Sequence, residues 1–296
     1  MDVDVLCVGH ASYDLIFSVA HHPKDDEKIS ADDFLSCGGG PAANAAITIS
    51  RLGFNAGFAG YLGNDIFGEN HYQELIAEGI NTQCVIRDHY PTPLSTILVK
   101  PDGKRALINY KGATKPLTSE TINFSSLKAK VVLFDGHEPN ISLSLLEHLK
   151  KENILTVLDA GSVHEGTLSL MDKVDYLVCS EKFAIQYAGN NESTALSSLA
   201  KLSPNVIITL GERGLIWQRG KEIGHLNAFN IEAVDTTGAG DAFHGAFVAA
   251  LTTPMNWLEI LQFSSAAGAL CCTKVGARIG LPTKLEHDTF LNARTI

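Results

Sequence analysis

Val234-Asp235-Thr236-Thr237-Gly238-Ala239-Gly240-Asp241-Ala242-Phe243-His244-Gly245-Ala246-Phe247 is the most informative stretch of the 296-residue chain. Glycines at 238 and 240 permit a tight turn and close approach of a ligand to the backbone, and the alanine-rich apolar run after Asp241 reads as a buried helix. Such a turn sets free amide donors, and the positive end of a helix dipole, beside a carboxylate. This suits phosphoryl transfer, whose transition state places charge on the transferred oxygens and needs a base near the attacking hydroxyl. On that reading the amides of Ala239 and Gly240 hold the charge, and Asp241, kept ionised by the dipole, receives the proton. The local pattern serves equally well for an aspartate that merely caps its helix.

A buried helix needs a sheet to pack on. Short apolar runs that read as buried strands occur at Val3 to Gly9, Val131-Val132-Leu133-Phe134, Ile154-Leu155-Thr156-Val157-Leu158, Tyr176-Leu177-Val178-Cys179 and Val206-Ile207-Ile208-Thr209-Leu210. Helix-length segments lie between them, which predicts an α/β fold with a parallel sheet covered on both faces. Two more polar stretches, Leu15 to Phe34 and Thr92 to Tyr110, break the rhythm. The second contains Pro101-Asp102-Gly103 between Ser95-Thr96-Ile97-Leu98-Val99 and Arg105-Ala106-Leu107-Ile108-Asn109-Tyr110, and reads as a hairpin. Together, over roughly residues 12–35 and 88–112, they predict a small sheet standing off one main domain of residues 1–296, suited to covering a substrate and excluding water. No repeat, low-complexity tract or linker divides the chain.

The 23 Lys and Arg stand against 33 Asp and Glu, a net charge of −10 that disfavours nucleic acid as a partner. ATP remains compatible, because a backbone cradle and a metal ion handle a triphosphate regardless of the global field. The amino terminus has acids where an export signal needs basic residues, and no segment is long and apolar enough to span a bilayer, so a cytoplasmic location without a membrane partner is expected. Cys7, Cys37, Cys84, Cys179, Cys271 and Cys272 show no C-x-x-C spacing and read as reduced core residues rather than a zinc site. The adjacent Cys271-Cys272 pair reads as a packed helix end, with redox sensitivity as the alternative.

The segment from Asp235 to Phe247 closely resembles the C-terminal signature of the ribokinase-like (PfkB) sugar kinases. Cys37-Gly38-Gly39-Gly40-Pro41-Ala42-Ala43-Asn44-Ala45-Ala46, followed by Arg51-Leu52-Gly53, resembles the N-terminal signature. Further matches are Gly9 to Asp14, Gly60 to Gly68, and Thr209-Leu210-Gly211-Glu212-Arg213-Gly214. Gly38 to Asn44 lacks dinucleotide spacing, and Gly214 to Lys221 lacks P-loop spacing, which disfavours a dehydrogenase or a P-loop ATPase.

The resemblance implies a three-layer α/β/α domain with a mostly parallel sheet, a β-sheet lid, and a sugar cleft between lid and sheet edge. It implies that Asp14, Ser12, Gly39, Gly40 and Asn44 receive the sugar, with Asn109 and His137 as further contacts and Lys111 favouring an anionic group. The bland alternatives are a strand-to-helix turn for the glycines, a structural histidine and a solvated hairpin. For ATP it implies Thr209, Gly211 and Gly214 near the phosphates and ribose, and Ala267, Gly268 and Cys272 around the adenine, although packing would also explain these small residues. A potassium ion is implied at Asp235, Thr237, Cys272, Val275, Gly276 and Gly280. Where many relatives carry an Asn-x-x-Glu motif that organises magnesium, this chain reads Ser180-Glu181-Lys182-Phe183, so Ser180 stands at the nucleotide and Glu181 takes over the Mg²⁺ role through water.

The expected activity is ATP-dependent phosphorylation of a small sugar, with a nucleoside kinase or a non-catalytic sugar sensor as alternatives. The glycine-proline loop, Ser180-Glu181 and the ending Gly276 to Pro282 most resemble the branch containing sulfofructose kinase. That branch places a basic residue about where His137 lies, which argues against a sulfonated acceptor and leaves a plain ketohexose or another modified sugar open. A homodimer paired through the lid is a further expectation, with Ile97, Leu98 and Val99 either at that interface or facing the cleft.

Overall fold

The computed structural model describes residues 1–189 and 191–294. Its strands are β1 Val5–Val8, β2 Ser12–Ser18, β3 Asp33–Gly39, β4 Ala56–Gly63, β5 Asn81–Asp88, β6 Leu94–Val99, β7 Arg105–Tyr110, β8 Val131–Phe134, β9 Leu155–Ala160, β10 Tyr176–Ser180, β11 Asn205–Thr209, β12 Leu215–Arg219 and β13 Glu222–Leu226. Its helices are α1 Pro41–Arg51, α2 Ile66–Ala77, α3 Pro139–Glu152, α4 Glu165–Leu170, α5 Glu181–Ala188, α6 Glu192–Leu199, α7 Ala239–Ala250, α8 Trp257–Cys271, α9 Ala277–Gly280 and α10 Lys284–Asn292. Among the described residues no helix is long and apolar enough to cross a membrane.

Nine strands form one sheet in the order β13-β12-β11-β10-β9-β8-β1-β4-β5. All neighbours are parallel except at the β12 and β13 edge. Alternating side chains feed two cores, as a two-residue period requires. Val5 and Cys7 pack with residues of α1, α7 and α8, whereas Leu6 and Val8 pack with residues of α3 to α6 on the opposite face. The three layers follow from this double burial. Strands β4 and β5 escape an apolar-run reading for a compositional reason: β4 is Ala-Gly-Phe-Ala-Gly-Tyr-Leu-Gly, poor in β-branched residues, yet buried at every position.

The second sheet has the order β3-β2-β6-β7, and the hairpin joining β6 to β7 turns at Pro101-Asp102-Gly103. Its register sets Asn109 opposite Ser95, Ser95 opposite Asp14 and Asp14 opposite Cys37, so these residues share one face. That face carries a small cluster of Ile16, Cys37 and Ile97, and Ile16 and Leu35 come against Gly276 of the main body. Leu98 lies on the other face, where Phe34, Ile108 and Tyr110 are exposed. All six cysteines are free; five are buried, and Cys272 follows directly on the end of α8.

Candidate active site

The start of α7 is built as a donor cradle. Gly238 precedes the helix at φ 79°, and a Cβ there would lie 2.6 Å from Cβ of Ala277. Gly240 faces open space, with nothing within 4 Å of where its Cβ would stand. The amide of Ala239 turns back to the Thr236 carbonyl at 3.3 Å, whereas the amides of Gly238, Gly240 and Asp241 have no acceptor among the described residues. The free donors therefore include Asp241 in place of the expected Ala239. Asp241 is the third residue of the helix and makes no capping bond, which removes the capping alternative. Its Oδ2 instead accepts a hydrogen bond from Asn44 Nδ2 at 2.8 Å, across 197 residues of chain. Asn44 is buried in α1, and its Oδ1 has no partner among the described residues, an acceptor left open beside the carboxylate.

The expectation that the dipole keeps Asp241 well ionised is corrected by its surroundings. Burial pushes the carboxyl up to about 7, and Asp159 and Asp135 add to this against the Asn44 bond and His244. Asp159 and Asp135 reach the site from the carboxyl ends of β9 and β8. His244, one turn further along α7, sets Nδ1 2.6 Å from the Gly240 carbonyl and 3.3 Å from Asp159 Oδ2.

The small sheet, whose strand β3 runs into α1, carries a second carboxylate. Ser12 donates its hydroxyl to Asp14 Oδ1 at 2.9 Å, and both side chains are buried. Burial raises the Asp14 pKa, opposed by the Ser12 hydroxyl and by Arg278. Gly39 lies opposite Ser12, and a Cβ on it would stand 2.2 Å from Asp14 Oδ2, so the glycine makes room for the carboxylate. Gly40, at φ 97°, enters α1 where a Cβ would meet the His10 carbonyl at 2.5 Å. Asp135 ties these loops together by accepting the amides of His10 at 2.7 Å, Ala42 at 3.2 Å and His137 at 2.9 Å. His137 stacks on His164 with centroids 4.7 Å apart and leans on His10 at 5.1 Å. Burial, then the charges of His137 and Lys111, drives His10 well below the usual histidine value. Asn109 is exposed on β7, on the face that carries Asp14.

Ser180 and Thr209 are register partners at the carboxyl ends of β10 and β11. Ser180 caps α5, accepting the Phe183 amide at 3.0 Å and donating to the Gly161 carbonyl at 2.9 Å. Ser180→Ala is accordingly expected to lower unfolding free energy by about 1 kcal/mol in a denaturant melt, the usual loss for an N-cap serine; an unchanged midpoint would discard the cap. Thr209 Oγ1 lies 3.4 Å from the Cys179 carbonyl. Gly211 and Gly214, both with positive φ, bracket a single 3-10 turn, and a Cβ on Gly214 would collide with the Leu226 carbonyl at 2.0 Å. Glu181 is paired with Arg213 at 2.5 Å, whose other arm holds Glu192 at 2.8 Å. Among the described residues no three His, Cys, Asp or Glu side chains are grouped to hold a metal. Ala267 needs correction as an adenine contact: it has no exposed surface and packs in the main core, because α8 presses directly on α7. A Cβ on Gly268 would lie 3.1 Å from the Ala239 carbonyl for the same reason.

The remaining expected residues converge on one loop pair. Asp235 accepts the Gly276 amide at 2.8 Å and the Thr237 amide at 2.9 Å, while the Cys272 carbonyl accepts the Val234 amide at 2.8 Å. Gly280 donates to the Gly276 carbonyl at 2.9 Å, and the Val275 side chain is exposed. Sequence reasoning passed over Arg105, Asp135, Asp159, His10, His164 and Arg278. The two aspartates carried a readable signal, since each ends an apolar strand at the edge where ligands collect in open α/β sheets. Arg278 is buried 3.5 Å from Glu74 and 3.3 Å from His71, and nothing local marks it.

The model of the pfkB family carbohydrate kinases matches residues 2–284. The chain is 30% identical over 291 residues to fructokinase-2 of Solanum lycopersicum, covering 88% of this chain and 89% of that one. The structure of the Thermotoga maritima ribokinase superposes with a TM-score of 0.87 at 29% identity, covering 98% of this chain and 99% of the other. That of the Arabidopsis thaliana ribokinase, solved with ribose and ATP, does so with a TM-score of 0.84 at 26% identity over 98% and 99%. With the signatures at Gly38–Asn44 and Asp235–Phe247 meeting at the Asn44–Asp241 bond, the chain belongs to the pfkB family of carbohydrate kinases and has the ribokinase fold.

Proposed function

We propose that this sugar kinase transfers the γ-phosphoryl group of ATP to a hydroxyl of a small ketose or modified sugar, with Asp241 as the base. The observation that carries the reading is the Asp241 carboxylate, bonded to Asn44 at the start of α7 and flanked by unpartnered amides. Asp241 takes the hydroxyl proton as the oxygen forms its bond to the γ-phosphorus. The bond between that phosphorus and the β,γ-bridging oxygen breaks, and its electron pair leaves with ADP. The amides of Gly238, Gly240 and Asp241 face the charge carried by the transferred oxygens. A pKa of about 7 suits a base that must be free at neutral pH and still hold a proton in the transition state.

Asp14 and Ser12 grip sugar hydroxyls, the open Oδ1 of Asn44 takes another, and the small sheet keeps water from the phosphoryl group. Magnesium, when bound with the triphosphate, supplies neutralising charge. With Glu181 held by Arg213, phosphate oxygens and water would be its main ligands. The ribose and ATP bound to the Arabidopsis thaliana ribokinase support both substrate classes.

The test is ADP release with ATP and magnesium across ketoses, aldoses, sulfonated sugars and nucleosides, with the product identified by mass. Turnover on one sugar, adding a single phosphate, is expected. Turnover confined to nucleosides would replace the acceptor class, and sugar binding without transfer would point to a sensor.

A further inference from the structure

The loop pair at Asp235 does not fit a potassium ion as its residues stand. Asp235 Oδ1 already accepts the Thr237 amide at 2.9 Å, the Thr237 hydroxyl at 2.7 Å and Arg105 Nη1 at 3.3 Å, and Oδ2 accepts the Gly276 amide. Three of the carbonyls that would line a cation shell are engaged as well, those of Val275 and Gly280 accepting no bond among the described residues. That of Cys272 holds the amides of Val234 and Asp235, that of Gly276 holds the amide of Gly280, and that of Thr237 faces Cys271 Sγ at 3.4 Å. The guanidinium of Arg105 bridges Asp235 and the Thr237 hydroxyl. A monovalent cation here would meet the like charge of Arg105 on the one carboxylate that could hold it.

We propose that Arg105 takes the place of a monovalent cation, neutralising Asp235 and steadying the loop that runs directly into the Gly238–Gly240 turn. The Asp235 side chain is only 4% exposed, and a buried carboxylate of this kind needs a counter-charge or a full set of donors. Burial works to raise its pKa, yet the Thr237 and Gly276 donors together with Arg105 hold the carboxyl below the usual range. Arg105 is a positioning residue, acting through Asp235 and Thr237. Because it opens β7, the charge is delivered by the same sheet that carries Asp14 and Asn109. The loop beside the donor turn is therefore complete only when the sheet that grips the acceptor lies against the main body.

The activity arm of the test rests on the kinase reading, and the melting arm does not. Turnover and melting temperature are measured in about 0.1 M potassium chloride and in tetramethylammonium chloride of equal ionic strength. Wild-type protein is expected to show the same turnover and melting temperature in both salts. Arg105→Met is expected to lose roughly 10-fold or more in turnover without potassium. Potassium or guanidinium should restore most of that loss, and potassium should raise the melting temperature of the variant alone. Arg105→Lys, which keeps the charge, is expected to stay insensitive to potassium. Potassium activation or stabilisation of the wild type would overturn the proposal, as would an Arg105→Met protein that keeps full turnover in tetramethylammonium. So would an Arg105→Met loss that neither cation repairs. If wild type turns over no sugar at all, the kinase reading has failed, and the potassium-dependent melting of Arg105→Met still decides the role of the arginine.

Discussion

Asp241→Asn is expected to lower turnover by about 10³-fold, in the range that loss of a positioned base produces, while sugar and ATP binding change little. Asparagine fills the same space and can still bond Asn44, so the fold should survive. Wild-type kcat/KM should fall on the acid side through an apparent pKa near the value of about 7 that burial and the neighbouring carboxylates impose. The same raised pKa makes a stability statement. A carboxyl moved from 3.8 to about 7 favours the protonated native state. Its contribution is full below the unfolded value and is lost as pH rises through the folded one. At pH 8 the wild type carries the cost of a buried charge that Asp241→Asn lacks. The variant should therefore be more stable there by on the order of 4 kcal/mol, with the difference vanishing at about pH 4. Steady-state rates and thermal melts at both pH values check this. Unchanged turnover would remove Asp241 as the base, and a variant less stable at pH 8 would contradict the account of its charge.

Asp14→Ala should cost about 10²-fold or more in kcat/KM for the sugar, with the KM for ATP nearly unmoved. The carboxylate is buried, bonded by Ser12 and given room by Gly39, an arrangement suited to holding hydroxyls rather than to solvent exposure. Alanine also leaves Ser12 and Arg278 facing a gap, so Asp14→Asn is the necessary companion; it should keep the melting temperature and lose most of the same selectivity. Equal losses for sugar and ATP would show that the substitution disturbs the whole cleft and that Asp14 has no acceptor-specific role.

Asp14 and Asp241 sit on different elements, β2 and α7, and Asn44 lies between them in the chain of contacts. Asn44 follows from the glycine loop that Asp14 abuts and bonds Asp241 directly. Asp135 gathers amides from the β1–β2 loop, the first turn of α1 and its own loop, and Arg105 ties the small sheet to the loop before the Gly238–Gly240 turn. The small sheet and the start of α7 are thus linked through a few polar contacts.

Local chemistry accounts for what the sequence determined unaided. The run Val131-Val132-Leu133-Phe134 is β8 residue for residue, the runs at 176–179 and 206–210 are β10 and β11 within a residue, and Pro101-Asp102-Gly103 turns a hairpin. Those features depend on the burial preference and dihedral freedom of neighbouring residues, which a short window contains. The glycine turn with its helix was legible for the same reason. Tertiary structure alone decided the charge state of Asp241, the partner of Asn44, the diversion of Glu181 to Arg213, the full burial of Ala267 and the arrival of Arg105 at Asp235. Each depends on groups far apart in the chain being brought within a few ångströms, and for Asp241 and Asp235 also on their being drawn out of water; both the distance and the dielectric are properties of the packed layers rather than of any segment.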